Sequence, residues 1–276
     1  DGAYRTATWM DRYAAEENWE YPENYVFSQW GDNRMYNYYV SGQSRYYGFA
    51  QENYRPFLAS DRPDDWYTTL AGRAGFVVVR SGHQFPDQTL YSGLMSQMSG
   101  GSAGRDLPGL THYRAVHSAD GGSRYVFTLV DGGVVTGTAS SNESITVSTE
   151  VDLGGHTFTY RRTVQTTMDG RYAVTVPYPG TYTTTEADSQ SISEPVVRNG
   201  GFAGKSTGEA RWQFEEGRGD VVFDSRGNSH GFLSGGTWTR GVRGRAISLE
   251  SPGEITVPEA PPPNASAGGT ASLWFR

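Results

Sequence analysis

Between Ser144 and Thr185 the hydrophobic pattern keeps a period of two, and this limits the fold more than any other feature of the chain. Ser144 to Val151, Thr157 to Val164, Tyr172 to Val176 and Thr181 to Thr185 alternate β-branched or aromatic residues with polar ones. Successive side chains of a strand point to opposite faces, so each run has one face to bury and one to wet. Asp169-Gly170 and Pro179-Gly180 supply turns between runs. The segment therefore predicts a small antiparallel β-sandwich.

The preceding residues follow a different period. Trp9, Tyr13 and Glu16-Glu17 keep helical spacing, which predicts a helix over Thr8 to Trp19, capped by Thr6 or Thr8 and ended by Pro22. Further helices are expected over Gly48 to Leu58, over Pro63 to Leu70 with proline at N1, and over Asp87 to Met98. Phe76 to Val79 reads as a buried strand. Strand and helix in alternation imply a small α/β layer. A hairpin, Thr111 to Ser118 and Arg124 to Val130, turns at Asp120-Gly121. Asn199 to Gly208 is Gly/Ser-rich and reads as a linker. The expected class is α+β multidomain: an α/β layer over 1–110, a hairpin-led sandwich over 111–198, a linker over 199–208 and an incomplete sheet over 209–276.

Within the α/β layer, Tyr25 to Gly48 carries aromatic rings, arginines and asparagines where a plain core strand would carry valines. Tyr25 to Ser28 reads as a short strand, and Asp32 as the N-cap of a helix over Asn33 to Val40. In open α/β sheets ligands sit beyond the carboxyl ends of strands, and Gln29 to Asn33 is such an end. There Trp30 offers a stacking face, Asp32 and Asn33 hydrogen-bonding groups, and Arg34 and Arg45 partners for carboxylate or phosphate. The bland alternative is an aromatic packing corner, with Trp30 in the core and Arg34 in a surface ion pair.

Composition narrows the function. The formal charge of −7 argues against nucleic acid as a partner. Of 23 basic residues only Lys205 is a lysine, and an acidic, lysine-poor chain suits high salt. With no cysteine, disulfides and thiolate metal sites are out. No apolar run nears the roughly 20 residues that span a bilayer. The chain begins at Asp1 and ends at Arg276 in what reads as running sequence, so it is expected to be an internal piece of a longer protein.

No complete catalytic set is present. Glu150 and Asp152 share a strand face and resemble part of the ExDxxE of laminarinase-type glycosidases, but Gly155 stands where the third acid belongs. His112 and His117 are five apart on an expected strand, so they should face apart. Phosphate-loop, dinucleotide-loop and nucleophile-elbow patterns are missing from the sequence. Asn142-Glu143-Ser144 and Asn264-Ala265-Ser266 are glycosylation sequons at Asn142 and Asn264, consistent with an exported surface.

Taken together, Gln29-Trp30-Gly31-Asp32-Asn33 and the later run DGRYAVTVPYPGTY resemble, in order, the soluble C-terminal region of archaeal, haloarchaeal-type oligosaccharyltransferase catalytic subunits. In that family a strand leads into a WWDYG signature that meets the acceptor hydroxyl. Here Trp30 falls on the second Trp, Gln29 replaces the first, Asp32 comes one position late and Asn33 stands at the Gly. The family's DxxK helix has no counterpart, because the candidate helix ending at Met98 carries no lysine. The resemblance spans roughly residues 4 to 198. It implies asparagine-linked glycosylation, with an acceptor polypeptide and a lipid-linked oligosaccharide as partners. It places Mg or Mn and the catalytic centre in a missing N-terminal membrane domain, on the extracellular face, with no cofactor in this chain. DGRYAVTVPYPGTY also resembles carboxypeptidase-regulatory-like sandwiches. The order Trp212-Gln213-Phe214-Glu215-Glu216-Gly217, Asp224 to Asn228, Gly236-Thr237-Trp238 and Gly244-Arg245-Ala246 resembles the opening strands of laminin-G and concanavalin-like lectin domains, which implies a truncated jelly-roll with calcium as its candidate ion. The alternative is a non-catalytic cell-surface protein that binds glycans through that module.

Overall fold

The computed structural model describes residues 2–98, 107, 109–119, 121–185, 189–202, 210–226, 229–242 and 244–258. The chain is an α+β multidomain protein that divides into two compact units. One comprises residues 1–133, 146–163 and 174–200; the other comprises 134–145, 164–173 and 201–276.

The first unit opens with helix α1 (Gly2–Glu16), which starts well before the expected Thr8. Ala3, Thr6, Ala7, Met10 and Ala14 recur at helical spacing and form its buried face. Thr6 and Thr8 do not cap it, because each hydroxyl bonds back to the carbonyl four residues earlier. Strand β1 (Val26–Phe27) follows, then α2 (Trp30–Tyr39), α3 (Gly48–Ala59), α4 (Pro63–Leu70), β2 (Phe76–Arg80) and α5 (Leu90–Met98). Helix α5 starts three residues later than expected. Thr89 rather than Asp87 meets its first turn, accepting from the Ser92 amide at 3.3 Å.

The hairpin β3 (Tyr113–Ala119) and β4 (Arg124–Leu129) does not lead a sandwich. It completes the first sheet, in the order β1-β2-β4-β3. Strand β4 lies antiparallel to β2 over its whole length, from Phe76 opposite Thr128 to Arg80 opposite Arg124. The β1–β2 pair is parallel and closely seated. A Cβ on Gly75 would run into the Glu23 carbonyl, so only glycine fits there. Met10, Tyr36, Phe76, Val78 and Val126 form the core against α1 and α2. Phe27 packs with Tyr54 and Phe57, and the Tyr54 hydroxyl donates to the Val78 carbonyl at 2.8 Å.

Five strands follow: β5 (Gly133–Thr138), β6 (Ser144–Asp152), β7 (Thr157–Gln165), β8 (Arg171–Val176) and β9 (Gly180–Thr184). β6 to β9 carry the alternating runs, and their buried residues alternate as expected: Ile145, Val147 and Thr149 in β6, and Tyr172, Val174 and Val176 in β8. With β10 (Ser189–Ile192) they form two sheets. One has the order β10-β9-β6-β7, and the other joins β5 and β8 to β11 (Gly201–Phe202). β11 lies in the stretch expected to be a linker. Inside the first unit three buried tyrosine hydroxyls find main-chain partners. Tyr160 donates to the Leu110 carbonyl at 3.1 Å, Tyr182 to the Tyr178 carbonyl at 2.9 Å, and Tyr178 accepts from the Ala115 amide at 3.0 Å. A short helix, α6 (Glu194–Asn199), closes this unit. Its Arg198 holds Glu17 beyond the end of α1 and Glu194 one turn back, while Glu194 also takes Arg114 of β3.

The second unit contains β12 (Val221–Val222), β13 (Gly231–Arg240) and β14 (Arg245–Thr256), paired antiparallel in that order. Val134, Val221 and Phe223 form its core, with Ala173 and Phe232 against them. Most residues of β13 and β14 are exposed or half-buried. The strand expected over Ala271 to Phe275 lies outside the described residues.

Candidate functional site

Strand β1 is two residues long and pairs only with β2, so the backbone of Val26 needs partners on its other side. Helix α2 supplies them. Asn37 accepts from the Val26 amide at 2.9 Å and donates to its carbonyl at 2.9 Å. Asn33, one turn earlier, donates to the same carbonyl at 2.8 Å and accepts from the Tyr25 hydroxyl at 3.3 Å. Two asparagines spaced i, i+4 thus replace a neighbouring strand. Asn33 is buried and spent on this task, so it is not available to a ligand.

Helix α2 begins at Trp30, with Gln29 as N-cap, three residues before the start expected from Asp32. The Gln29 carbonyl takes the Asp32 and Asn33 amides, at 3.0 and 2.9 Å. Asp32 is therefore not the cap. It lies in the first turn, where an acid suits the helix dipole. Its carboxylate turns toward the sheet, with Oδ2 3.6 Å from Arg80 Nη1 and 4.0 Å from Arg124 Nη2. Trp30 is 52 % exposed, so it is not a core residue. Arg34 is exposed and lies over the Tyr47 ring, 5.2 Å from its centroid.

Beside this helix start is a cleft of about 310 Å³ lined by Gln29, Arg80, Ser81, Gly82, His83 and Ser123. It sits where the carboxyl ends of β1 and β2 meet the start of β4, the expected place for a ligand in such a sheet. None of the four predicted residues lines it directly. Trp30 follows Gln29 in the chain, Asp32 reaches the rim through Arg80, Asn33 is internal and Arg34 points to Tyr47. The lining residues Arg80, Ser81 and His83 carried one overlooked signal: a charge ends the apolar run Phe76 to Val79, and a Ser-Gly-His turn follows.

Other candidates are engaged elsewhere. Glu150 accepts from the Thr159 hydroxyl at 2.5 Å, and Asp152 from the Gly155 amide at 2.9 Å. His112 precedes β3 rather than lying in it; its ring stacks on Tyr67 at 4.0 Å, and burial lowers its pKa. His117 follows a bulge and stacks on Trp9 at 4.4 Å. Asn142 sits in an exposed turn with φ +62°, its carbonyl oxygen held by Arg218. Asn264 lies outside the described residues.

The lectin-like motif in the second unit is consumed by its own backbone. Asp224 Oδ1 accepts from the Arg211 and Arg226 amides at 2.8 and 2.9 Å, and Oδ2 from the Ser229 amide at 3.2 Å. Trp212 donates to the Ser229 carbonyl at 2.8 Å. Glu216 is buried and accepts from the Phe223 amide at 2.8 Å; desolvation raises its pKa. Burial lowers the pKa of His230 to about 4, and its Nδ1 accepts from the Asp224 amide. Among the described residues no group of three or more His, Cys, Asp or Glu comes together to hold a metal ion.

Residues 132–205 match the family model of the "Archaeal glycosylation protein B long peripheral domain". The fold is similar to that of the archaeal oligosaccharyltransferase AglB from Archaeoglobus fulgidus in complex with an inhibitory peptide and a dolichol-phosphate. That comparison has a TM-score of 0.53 at 15 % identity, over 74 % of this chain and 42 % of that one. The chain resembles an archaeal oligosaccharyltransferase. The same Archaeoglobus enzyme tethered to an acceptor peptide containing the NVT sequon aligns with a TM-score of 0.54 at 14 % identity, over 73 % of this chain and 43 % of that one. Its complex with Zn and sulfate gives 0.53 at 14 %, over 74 % and 46 %. This chain thus spans less than half the length of the archaeal enzymes it matches. No curated protein matches it. Among the described residues no helix is long and apolar enough to cross a membrane.

Proposed function

We propose that this chain is the acceptor-side region of an oligosaccharyltransferase-type protein, on the extracellular face of a membrane. The cleft at the ends of β1 and β2, with the exposed Trp30 beside it, is the observation that carries this reading. An indole face next to a polar cleft suits an acceptor polypeptide. Likeness in fold to an enzyme solved with a tethered acceptor peptide supports the same class of partner. Glycan transfer from a lipid-linked donor, and any metal it needs, belong on this reading to the part of the protein outside this sequence. The alternative, a glycan-binding surface module, has less support. In residues 210–258 the motif side chains that would define a lectin site are tied to main-chain groups.

The test is Trp30→Ala in the full-length protein, with transfer of glycan to a sequon peptide as readout. Transfer should fall at least about tenfold, the equivalent of one lost stacking contact, with the melting temperature nearly unchanged. Undiminished transfer would sink the proposal.

A further inference from the structure

We infer that Asn142 is itself a glycan acceptor, so that this chain carries an asparagine-linked oligosaccharide on its second unit; this rests on the extracellular part of the reading above and on nothing at Trp30 or the cleft. Asn142-Glu143-Ser144 is a sequon, and the fold decides whether it can be reached. It lies where β5 gives way to β6, with Asn142 and Ser144 exposed and Glu143 half-buried. The turn is held by groups other than the Asn142 side chain. The buried Thr166 hydroxyl donates to the Ser140 carbonyl at 2.6 Å and accepts from the Glu143 amide at 2.9 Å. The Glu143 carboxylate accepts from the Ser140 amide at 2.9 Å. Asn142 lends the turn its backbone, at φ +62°, a left-handed conformation that asparagine adopts more readily than most residues. Turn chemistry alone accounts for an asparagine, an aspartate or a glycine at that position. It does not account for Ser144, which opens β6 on its exposed face.

The Asn142 amide is anchored by its oxygen. Arg218 Nη2 donates to Asn142 Oδ1. A guanidinium has donors and no acceptor, so this bond fixes which end of the amide is oxygen. The other end is Nδ2, the atom to which a glycan is joined. It makes a 3.3 Å bond to the hydroxyl of the exposed Ser141, long for a hydrogen bond. An amide nitrogen carries two hydrogens, so one stays available to Ser141 when the other is replaced. Transfer joins Nδ2 to the anomeric carbon of the first sugar of a lipid-linked oligosaccharide. The bond from that carbon to the lipid phosphate oxygen breaks, and the amide proton leaves with the lipid phosphate. The product keeps the Arg218 bond and every bond of the turn.

The experiment is mass spectrometry of tryptic peptides from the full-length protein, isolated from its own cells. Asn142 is the only asparagine between Arg124 and Arg161, so the peptide over 125–161 reports on it alone. That peptide should carry the oligosaccharide found on other exported sequon proteins of the same cells. Ser144→Ala, at an exposed position, should abolish the modification with the melting temperature nearly unchanged, and Ser144→Thr should keep it. Asn142→Gln should abolish it as well. A glycan that survives Asn142→Gln sits on a serine or threonine and overturns the inference, as does one that survives Ser144→Ala. Protease added outside intact cells separates the inference from the reading it rests on. A bare peptide, from a chain that the protease cuts and in cells whose other sequon proteins are glycosylated, overturns the inference and leaves the extracellular reading standing. A chain cut only after the cells are lysed overturns both.

Discussion

The stretch from Gln29 to Arg34 and the loop closed by Asp224 both look like motifs, yet they spend their polar groups in opposite ways. Around Asp224, three backbone amides fill one carboxylate and an indole N–H caps a nearby carbonyl. That loop is a knot of internal bonds. Around Trp30, only Asn33 is used up internally; the indole faces solvent and Asp32 is shared at long range between two arginines. A motif can therefore be kept for architecture or for a ligand, and the difference lies in whether its own backbone has already satisfied it.

Removing Asp224 is the harshest test of that contrast. Asp224→Ala should cost the second unit roughly 3–5 kcal/mol in denaturant unfolding, because three amides, that of Ser229 buried, lose a charged acceptor at once. A loss below about 1 kcal/mol would mean the loop is open enough for water to replace the carboxylate. Asn37→Ala should come next, at about 2–4 kcal/mol, since both polar groups of the Val26 backbone would lose a partner. Hydrogen exchange at the Val26 amide checks it directly.

Acidification probes the second unit through His230. Burial holds the folded pKa of His230 near 4, below the ordinary value of 6.5. The unfolded chain therefore binds the proton first, and stability should fall as pH drops from about 6.5 toward 4, by up to about 3 kcal/mol. Glu216 works against this trend. Its pKa is raised, so its share of stability is fullest at low pH and is lost as pH rises above the usual carboxylate range. His230→Gln, which keeps an acceptor for the Asp224 amide, should flatten the slope above pH 5; an unchanged slope assigns it to another group. The smallest effects belong at the candidate site. Trp30→Ala should lower stability by less than about 1 kcal/mol, against the roughly 3–5 of a buried aromatic. Arg34→Ala should cost about 0.5 kcal/mol, the worth of an exposed cation–π contact.

What could be read from the sequence followed from local rules. The alternation in β6 and β8, the proline that opens α4 and the apolar run of β2 each produced the expected element. Non-local pairing was not legible. The hairpin from Tyr113 to Leu129 carries ordinary hairpin chemistry, and nothing in it says that β2 will be its neighbour. The same limit applied to the site. Trp30 and Asp32 were visible because they sit together in the chain. Arg80 and Arg124 are 48 and 92 residues beyond Asp32, and only the sheet brings them to one carboxylate.

The clamp that joins α6 to α1 has a consequence for synthesis. Arg198 grips Glu17 across 181 residues of chain, and the first unit is assembled from three separate segments ending at residue 200. At ribosomal speeds of about 5–20 residues per second, the amino-terminal helix waits roughly 10–35 s for the arginine that locks it. Until then α1 can dock on the sheet through Met10 and its neighbours but lacks its last ionic partner. The unit that carries the cleft is therefore completed late, when the chain has already laid down most of its strands. A nascent chain halted before residue 198 should hold this helix loosely, and release past that point should set it.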